Sequence, residues 1–383
     1  MKSRGVAKAL GASGFDAPQE SPRADESESL REKLSGPASK HVAGKGRSEF
    51  DFIARLCRIA ATAQPRLAIG IGDDAALVRE RTGQVLAITA DMLVEEIDFR
   101  RQWTTARDLG HKALAVSLSD IAAMGARPRW ALVSLGVPQE IWRTDFLDDF
   151  YRGWFALARA SGVALIGGDI SRTPERIVID SVVLGETRRA IMRSGARPGD
   201  LLFVTGALGG AAAGLHLLMT NGVEEAHKNA SLRPRRTSRA DRRLIRRHLR
   251  PEPRLAWSNY LAEKKLATAM IDLSDGLSSD LAHLCRESGV GAIINAEAIP
   301  IDPLIAKSSL RGEDPLRLAL DGGEDFELLF TVRPRDVRRL PRELDGVRAV
   351  CIGEVTARRR LVLVRDGRTL LLRPGGFVHF HSR

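Results

Sequence analysis

Aspartates recur along this chain beside glycine or at the ends of apolar runs, where their carboxylates could bind metal ions. They lie in the segments Gly72–Asp74, Ile88–Asp91, Leu118–Asp120, Gly167–Asp169 and Asp272–Asp275. A buried carboxylate is costly unless a cation neutralises it. Hard divalent ions with oxygen ligands, above all Mg²⁺, are the usual neutralisers, and Mg²⁺ usually binds together with substrate phosphates. The pattern therefore predicts an enzyme that uses Mg²⁺ and a nucleotide, with metal ligands from both halves of the chain.

The first acidic segment formally matches the start of a dinucleotide-binding fingerprint, GxGxxA, at Gly70–Ala75. Two carboxylates inside that turn would repel a bare pyrophosphate, which binds through exposed backbone N–H groups. A metal ion that bridges carboxylate and phosphate removes this conflict. The alternative is an Asp-rich turn or a helix cap, and the other four acidic segments favour the metal site over it.

Three further aspartates are candidate ligands, and two of them also have a purely structural alternative. Asp91 follows a strand predicted at 85–90, and the Thr89 hydroxyl is available to the same ion. Asp120 lies near the end of a predicted helix, where a carboxylate opposes the helix dipole; this favours a functional use over an ordinary exposed aspartate. Asp169 follows two glycines that allow a ligand to approach the backbone closely, although a simple type II turn explains them equally well.

Asp272 and Asp275 lie where a predicted strand ends and a helix begins. Their spacing lets both carboxylates face one point around the turn, with the Ser274 hydroxyl available to a phosphate oxygen. The alternative is a helix N-cap, and we expect the segment to be both a cap and a ligand.

The elements that must position these side chains alternate between strands and helices. Strands are predicted at 85–90, 130–136, 163–166, 177–184, 201–205, 269–273, 292–294 and 327–332, helices at 51–63, 107–124, 144–161, 211–218 and 278–287, and a hairpin at 361–372. This alternation is typical of an α/β or α+β sandwich. We expect a disordered extension at 1–48, an N-terminal metal- and ATP-binding α/β domain at 49–188, and a C-terminal α/β domain at 189–383 with a basic insertion near 223–250.

Composition narrows the class of protein. The 383 residues, 44% of them apolar, suffice for two ordinary domains. Cys57, Cys285 and Cys351 lack CxxC spacing, which argues against a zinc site or a disulfide framework and for a reducing compartment. No apolar run reaches the length of about 18 residues that a membrane span needs. We therefore expect a soluble cytoplasmic protein that does not contact a membrane.

The net charge of +11 is concentrated in one segment. Eleven Lys and Arg residues lie between Lys228 and Arg254, against only Asp241 and Glu252. A nucleic-acid site would favour basic residues spread over a face with interleaved aromatic side chains, and this segment has no Phe, Trp or Tyr. A solvated helical insertion is therefore favoured over a nucleic-acid contact.

Sequence motifs narrow the function further. The chain carries no Walker A, kinase HRD or DFG, GxSxG or HExxH motif. It does contain, in order, GIGDDAALV, ITADMLVE, HKALAVSLSDIAAMGA, LIGGDISR, RSGARPGD, VTGALGG, HLRPEPR, IDLSDGLSSDL and GGEDFEL. This series resembles the thiamine-monophosphate kinase family, part of the aminoimidazole ribonucleotide synthetase-like ATP-binding superfamily, over residues 49–383.

The resemblance implies the two-domain fold of that superfamily and transfer of the ATP γ-phosphoryl group to thiamine monophosphate, the final step of thiamine diphosphate synthesis. It also implies a homodimer whose N-terminal domains pair into a β-barrel, with several Mg²⁺ ions in each active site. The implied metal ligands are Asp74, Thr89, Asp91, Asp120, Asp169, Asp272 and Asp275, with Asp74, Asp120 and Asp275 as catalytic residues. The implied ATP contacts are Gly168, Asp169, Arg193 and Ser274, and the implied contacts to thiamine monophosphate are Asp98, Glu324 and Phe377.

Three positions depart from the family pattern. Ala90 stands where many members have threonine, so that a ligand there could come only from the backbone carbonyl. Asp98 replaces a common histidine, and Phe377 replaces a tyrosine or tryptophan, which keeps stacking but loses a polar group. The last two concern details of substrate binding and leave the reaction type unaffected.

The implied chemistry requires little from side chains beyond charge neutralisation and positioning. No general base is needed, because the acceptor phosphate oxygen is ionised at pH 7. Arg193 can add a fixed cation, whereas Lys112 is interpreted as a lysine on a helix surface.

Other members of the superfamily are less consistent with the sequence. Cys57 lacks the glycine-rich setting of a selenophosphate synthetase, and a hydrogenase-maturation relative would carry a C-terminal cysteine. An aminoimidazole ribonucleotide synthetase stays open, although its phosphate-binding phrases are not visible. A catalytically silent RNA-binding member would use the arginine-rich segment, but it has no evident reason to keep six costly carboxylates.

Overall fold

Two β-sheets and the helices packed on them position the acidic segments. The computed structural model describes residues 66–80, 83–226 and 238–377. The predicted extension at 1–48 and the predicted helix at 51–63 fall outside these residues, as does Cys57.

The first sheet is formed by the N-terminal half of the chain. Its strands are β1 (Leu67–Ile69), β2 (Ala76–Arg79), β3 (Val85–Val94), β4 (Arg127–Val137), β5 (Ala164–Arg172) and β6 (Val178–Thr187). Their order is β1-β2-β3-β6-β4-β5. Only β4 and β5 are parallel neighbours; the other pairs are antiparallel. The sheet is open, with β1 and β5 as its edges.

The same half contains three helices, which lie between strands β3 and β5 in the chain: α1 (Ala106–Ala123), α2 (Gln139–Trp142) and α3 (Phe146–Ser161). Thr105 caps α1, because its side chain accepts the Asp108 N–H at 3.1 Å. Most of the residues of α1 are buried, as expected of a helix that is apolar on nearly every side. Gly110 and Gly153 let α1 and α3 touch, since a Cβ at either position would overlap the backbone of the other helix.

The second sheet is formed by the C-terminal half. Its strands are β7 (Leu201–Thr205), β8 (Ala267–Asp272), β9 (Gly291–Asn295), β10 (Leu328–Val332), β11 (Glu343–Leu344), β12 (Val347–Thr356), β13 (Leu361–Arg365) and β14 (Arg368–Leu371). Their order is β14-β13-β9-β12-β7-β10-β8, with β11 paired beside β12. The helices are α4 (Gly210–Ala226), α5 (Arg239–Leu249), α6 (Leu255–Lys264), α7 (Leu277–Ser288) and α8 (Pro315–Asp321), with short 3₁₀ segments at Ala296–Ala298, Ile305–Lys307 and Pro334–Arg339.

Each half has its own apolar core, and a third apolar cluster joins the two halves. In this third cluster, Ala122 and Ala123 at the end of α1 pack with Phe203, Trp257 and Met270 of the second half. Helix α1 therefore belongs to the packing of both halves, and its C-terminal turn is fixed between them.

The α/β fold class predicted from the sequence is confirmed, and two of the predicted element boundaries that bear on the acidic segments need correction. The strand predicted at 85–90 extends to Val94, so Asp91 lies within β3 and does not follow it. The strand predicted at 163–166 extends to Arg172, so Gly167–Asp169 is not a type II turn. Glycine weakens strands, but pairing of this segment with β4 overrides that tendency. None of the helices within the described residues is long and apolar enough to cross a membrane.

Candidate active site

Three carboxylates from distant parts of the chain meet at one point. Asp74 lies in the loop between β1 and β2, Asp120 in the last turn of α1, and Asp272 at the end of β8. Each offers one carboxylate oxygen, and these oxygens lie within 4.8 Å of one another. Asp74 and Asp272 are only 6% and 2% exposed. We call these three residues the carboxylate cluster; such a set of oxygen donors suits hard divalent cations.

Hydroxyl groups hold two members of the cluster. Thr89 Oγ1 on β3 donates to Asp120 Oδ2 at 2.5 Å. Ser119 Oγ on α1 donates to Asp272 Oδ2 at 2.6 Å. The second hydrogen bond joins the two halves of the chain directly at the cluster.

Two buried carboxylate oxygens at this site have no hydrogen-bond partner: Asp74 Oδ2 and Asp91 Oδ2. Asp91 on β3 is hydrogen-bonded by the Ser117 side chain and interacts with Asp120. A buried acceptor without a partner is costly. The unpartnered oxygens therefore fit a cation that the side chains themselves do not supply.

Burial and mutual repulsion shift the acidities of these groups. Burial, followed by the charge of Asp74, raises the pKa of Asp272 to about 8. Burial is also the main cause that raises the pKa of Asp91 to about 6 and that of Asp120 well above its ordinary value. A positive charge at the cluster would reverse these shifts, because it favours the ionised carboxylates. The donor chemistry and the electrostatics thus both fit a divalent metal ion.

Arg193 lies beside the cluster, as expected for a fixed cation. Its Nη2 donates to Asp74 Oδ1 at 2.7 Å, and its backbone N–H donates to Asp73 Oδ2 at 3.2 Å. Burial, followed by the charge of Asp74, raises the pKa of Asp73 to about 7. Asp73 was absent from the predicted ligand set, although the Asp doublet made it visible in the sequence.

The segment after β8 brings four other predicted residues to one corner. The Ser274 carbonyl accepts the Glu324 N–H at 2.7 Å, and the Asp275 carbonyl accepts the Phe377 N–H at 3.2 Å. Asp280, which sequence reasoning missed, fixes this turn because its carboxylate accepts the Asp275 N–H at 3.2 Å. The carboxylate of Asp275 itself is not among the three that converge.

Glu324 is held between two buried side chains. Lys112 Nζ lies 2.7 Å from Glu324 Oε1, and His248 Nδ1 lies 2.7 Å from Oε2. Lys112 is only 2% exposed, so its interpretation as a helix-surface lysine is wrong: α1 is buried, and its lysine reaches Glu324 instead of solvent. Burial alone would raise the pKa of Glu324, but the charge of Lys112 and then that of His248 hold it well below its ordinary range.

Two parts of the predicted site lie away from the cluster. Asp98 lies in the turn after β3, where its Oδ2 accepts the Val94 N–H at 2.7 Å. Gly168 and Asp169 lie on the edge strand β5, and Asp169 is exposed. Strands β6 and β4 separate β5 from β3, so three strand spacings, about 14 Å, lie between their backbones. In the described part of one chain, these residues are not brought to the carboxylate cluster, and their roles stay predictions.

Sequence reasoning also missed Ser117 and Ser119, which orient Asp91 and Asp272. The available signal was their polarity within the stretch 113–119 of the helix, which is otherwise apolar. Such a pattern shows that a polar group must meet another element, but it does not show which one.

Comparisons with known proteins agree with this geometry. The family model described as AIR synthase related protein, N-terminal domain, matches residues 72–187, and the corresponding C-terminal domain model matches residues 197–366. Asp74 and Asp120 lie in the first match and Asp272 in the second, so the cluster is built by both domains.

Similar proteins cover most of the chain. The thiamine-monophosphate kinase of Escherichia coli (strain K12) is 39% identical over 337 residues, which is 87% of this chain and 98% of that protein. The thiamine-monophosphate kinase of Bacillus subtilis (strain 168) is 36% identical over 318 residues, 82% of this chain and 93% of that protein. A solved structure described as AaThiL complexed with AMPPCP and TMP is 33% identical, has a TM-score of 0.75, and covers 89% of this chain and 100% of its own.

Proposed function

The chain belongs to the thiamine-monophosphate kinase family, and we propose that it transfers the γ-phosphoryl group of ATP directly to thiamine monophosphate, giving thiamine diphosphate and ADP. This reaction completes the synthesis of thiamine diphosphate. The observation that carries the proposal is the carboxylate cluster, which both family domains build from two buried aspartates and one half-buried aspartate.

The main obstacle to this reaction is repulsion between two anionic substrates. An oxygen of the acceptor phosphate forms a bond to the γ-phosphorus, while the bond to the β–γ bridging oxygen breaks and ADP leaves with that electron pair. No proton has to be removed from the acceptor, because its phosphate is ionised at pH 7. Arg193, held by Asp74, is positioned to offset part of the phosphate charge.

The residues that would hold Mg²⁺ are Asp74, Asp120 and Asp272, with Asp91 and Thr89 beside them. The unpartnered oxygens of Asp74 and Asp91, together with the raised pKa values of Asp91, Asp120 and Asp272, support this assignment. When bound, Mg²⁺ supplies positive charge and a template that aligns the two phosphates. More than one ion would bind in each site, with Asp275 and Asp169 as further ligands.

The substrate contacts follow the family pattern. ATP would contact Gly168, Asp169, Arg193 and Ser274, and thiamine monophosphate would contact Asp98, Glu324 and Phe377. The corner that joins Ser274, Glu324 and Phe377 supports this grouping. Phe377 is 52% exposed, so its ring is available to stack on a heteroaromatic ring of the acceptor.

A homodimer would complete the site. The edge strand β5 carries the exposed side chains of Ile166 and Ile170, 57% and 47% exposed, and Ile97, next to Asp98, is 62% exposed. An exposed apolar edge strand is a ready surface for strand pairing. Asp98 and Asp169, which lie away from the cluster of their own chain, would then reach the cluster of a second copy.

A complementation assay tests this sharing. Asp120→Asn and Asp169→Asn homodimers should each be inactive, whereas a denatured and refolded mixture should regain activity, because mixed dimers contain one intact site. Absence of recovery, with dimers present by light scattering, would place both residues in a single-chain site.

The reaction itself is tested by ADP release from the full chain with ATP and Mg²⁺, with and without thiamine monophosphate. We expect ADP formation that depends on the acceptor and is matched by thiamine diphosphate on chromatography, and that stops in EDTA. A folded protein that binds ATP with Mg²⁺ but gives no thiamine diphosphate would refute the proposed acceptor. A cytoplasmic location and the absence of nucleic-acid binding stay predictions from the sequence.

A further inference from the structure

An arginine-lined groove lies beside helix α5, and its lining includes no member of the carboxylate cluster. Its volume is about 590 Å³, within the range of small-molecule sites. Its charged lining consists of six arginines, Arg243, Arg246, Arg247, Arg250, Arg254 and Arg348, and four carboxylates, Glu252, Asp325, Glu327 and Glu343. This concentration of guanidinium groups around one space calls for a physical reason.

Helical periodicity accounts for four of these arginines. The positions of Arg243, Arg246, Arg247 and Arg250 follow the spacing i, i+3, i+4, i+7, which places all four on one face of a helix. The opposite face of α5 is anchored in the protein through the buried residue Leu244. In the described part of the arginine-rich segment, packing of α5 therefore directs the basic face of this helix to the groove.

Four of the six arginines have carboxylate partners. Arg247 pairs with Asp302, Arg250 with Asp108, Arg254 with Glu327, and Arg348 with Glu343, at 2.6, 2.7, 2.5 and 3.5 Å. Among the described residues, neither Arg243 nor Arg246 has a side-chain ion pair or hydrogen bond, and both are exposed. Glu252 and Asp325 also line the groove, so the guanidinium groups of its lining without an acidic partner in the described part of the chain are those of Arg243 and Arg246.

The paired arginines are held in place for a ligand. Arg254 contacts Glu327 through Nε and Nη2, and Arg247 contacts Asp302 through Nε. A side chain that is already fixed loses less conformational entropy when it binds a ligand. Planar guanidinium groups bind phosphate oxygens with two parallel hydrogen bonds.

We propose that this groove binds a small molecule that carries two or more phosphate groups. A single phosphate offers few oxygens to several guanidinium groups, whereas a diphosphate offers enough oxygens to bind Arg243, Arg246 and Arg247, which lie on one face of α5. Single-stranded nucleic acid fits less well, because the lining contains no Phe, Trp or Tyr on which bases could stack. Nucleoside diphosphates, thiamine diphosphate and inorganic pyrophosphate share the recognised group.

The test is calorimetric titration of the full chain with inorganic pyrophosphate in EDTA. In the absence of metal, the carboxylate cluster repels pyrophosphate, so any binding that is measured is assigned to the groove. We expect one site per chain, affinity that falls as salt rises, and affinity for inorganic phosphate that is about tenfold weaker.

The double variant Arg243→Gln/Arg246→Gln should weaken pyrophosphate binding about tenfold or more. The matched control Arg358→Gln/Arg368→Gln removes the same charge from exposed positions elsewhere and should change affinity by less than about twofold.

Competition by ADP and by thiamine diphosphate then identifies the source of the diphosphate group. Absence of pyrophosphate binding, or equal binding by the Arg243→Gln/Arg246→Gln variant and the wild type, would overturn the proposal. Binding of an RNA oligonucleotide through the same two arginines, with none of pyrophosphate, would replace it with a nucleic-acid surface. The titration requires no turnover, so its failure leaves the proposed kinase activity untouched.

Discussion

Replacement of Asp272 by Asn tests whether the carboxylate cluster lowers stability in return for metal binding. Without metal, burial and then the charge of Asp74 raise the pKa of Asp272 from 3.8 to about 8. A carboxyl group with a higher pKa in the folded state opposes folding once the pH exceeds its unfolded value. The penalty is therefore absent below about pH 4 and grows until about pH 8.

The size of the effect follows from linkage. Each pH unit between the unfolded pKa and pH 7 contributes about 1.4 kcal/mol, so the full penalty is about 4 kcal/mol. Neighbouring carboxylates share this repulsion, so the gain from one substitution is about 2–4 kcal/mol. Asn keeps the shape of the side chain, and its Oδ1 can still accept the Ser119 hydroxyl.

The assay is urea unfolding followed by circular dichroism, in EDTA, at pH 4 and pH 7. We expect Asp272→Asn to be more stable than the wild type at pH 7, to match it at pH 4, and to gain less stability on addition of Mg²⁺. Turnover should be lost. Asp148→Asn, at an exposed position of α3, should change stability by less than about 0.5 kcal/mol at both pH values. A metal-free Asp272→Asn protein that is less stable at pH 7 would show that the protein itself stabilises the ionised carboxylate, and would refute the reasoning.

Three further predictions concern the described residues. Asp120→Asn should lower kcat about 10³-fold or more while the circular dichroism spectrum is unchanged, because a proposed metal ligand is lost from a preserved fold; wild-type turnover would contradict this. Lys112→Met should raise KM for thiamine monophosphate about tenfold and KM for ATP less than about twofold, because it frees the Glu324 carboxylate; equal effects on both would indicate a general structural role. In a variant in which Cys57 is replaced by serine, a thiol reagent should label the exposed Cys351 in the native protein and Cys285 only after unfolding. The reason is that burial raises the pKa of the Cys285 thiol to about 12. Labelling of Cys285 in the native protein would refute its burial.

The periodicity of apolar residues predicted the bounds of strands and helices well where an element packs against a single apolar core. The strand at Leu201–Thr205 has the predicted bounds, and the helix predicted at 278–287 differs from Leu277–Ser288 by one residue at each end. The prediction failed at β5, where the strand was expected to end at 166, before Gly167 and Gly168, and instead extends to Arg172. Strand pairing with β4 is a long-range contact, and the local sequence carries little information about it.

The candidate site was predictable in type but not in full geometry. Aspartate beside glycine at the ends of apolar runs identified Asp74, Asp120 and Asp272, which do converge. The same reasoning placed Asp169 with them, although three strand spacings intervene within one chain. Lys112 was misassigned because a lysine on a helix is usually exposed, and only the tertiary position of α1 shows its contact with Glu324.

Helix α1 explains why so much of the site depends on one buried element. Lys112, Ser117, Ser119 and Asp120 are four of its polar residues, and each meets a different partner from another part of the chain. A fully apolar helix would pack between the two halves more simply, since each buried polar group has a desolvation cost that its partner only offsets. These four groups fix the register and rotation of α1 against both sheets at once, because a shift of the helix would break all their contacts together. The helix therefore couples correct docking of the two halves to assembly of the carboxylate cluster.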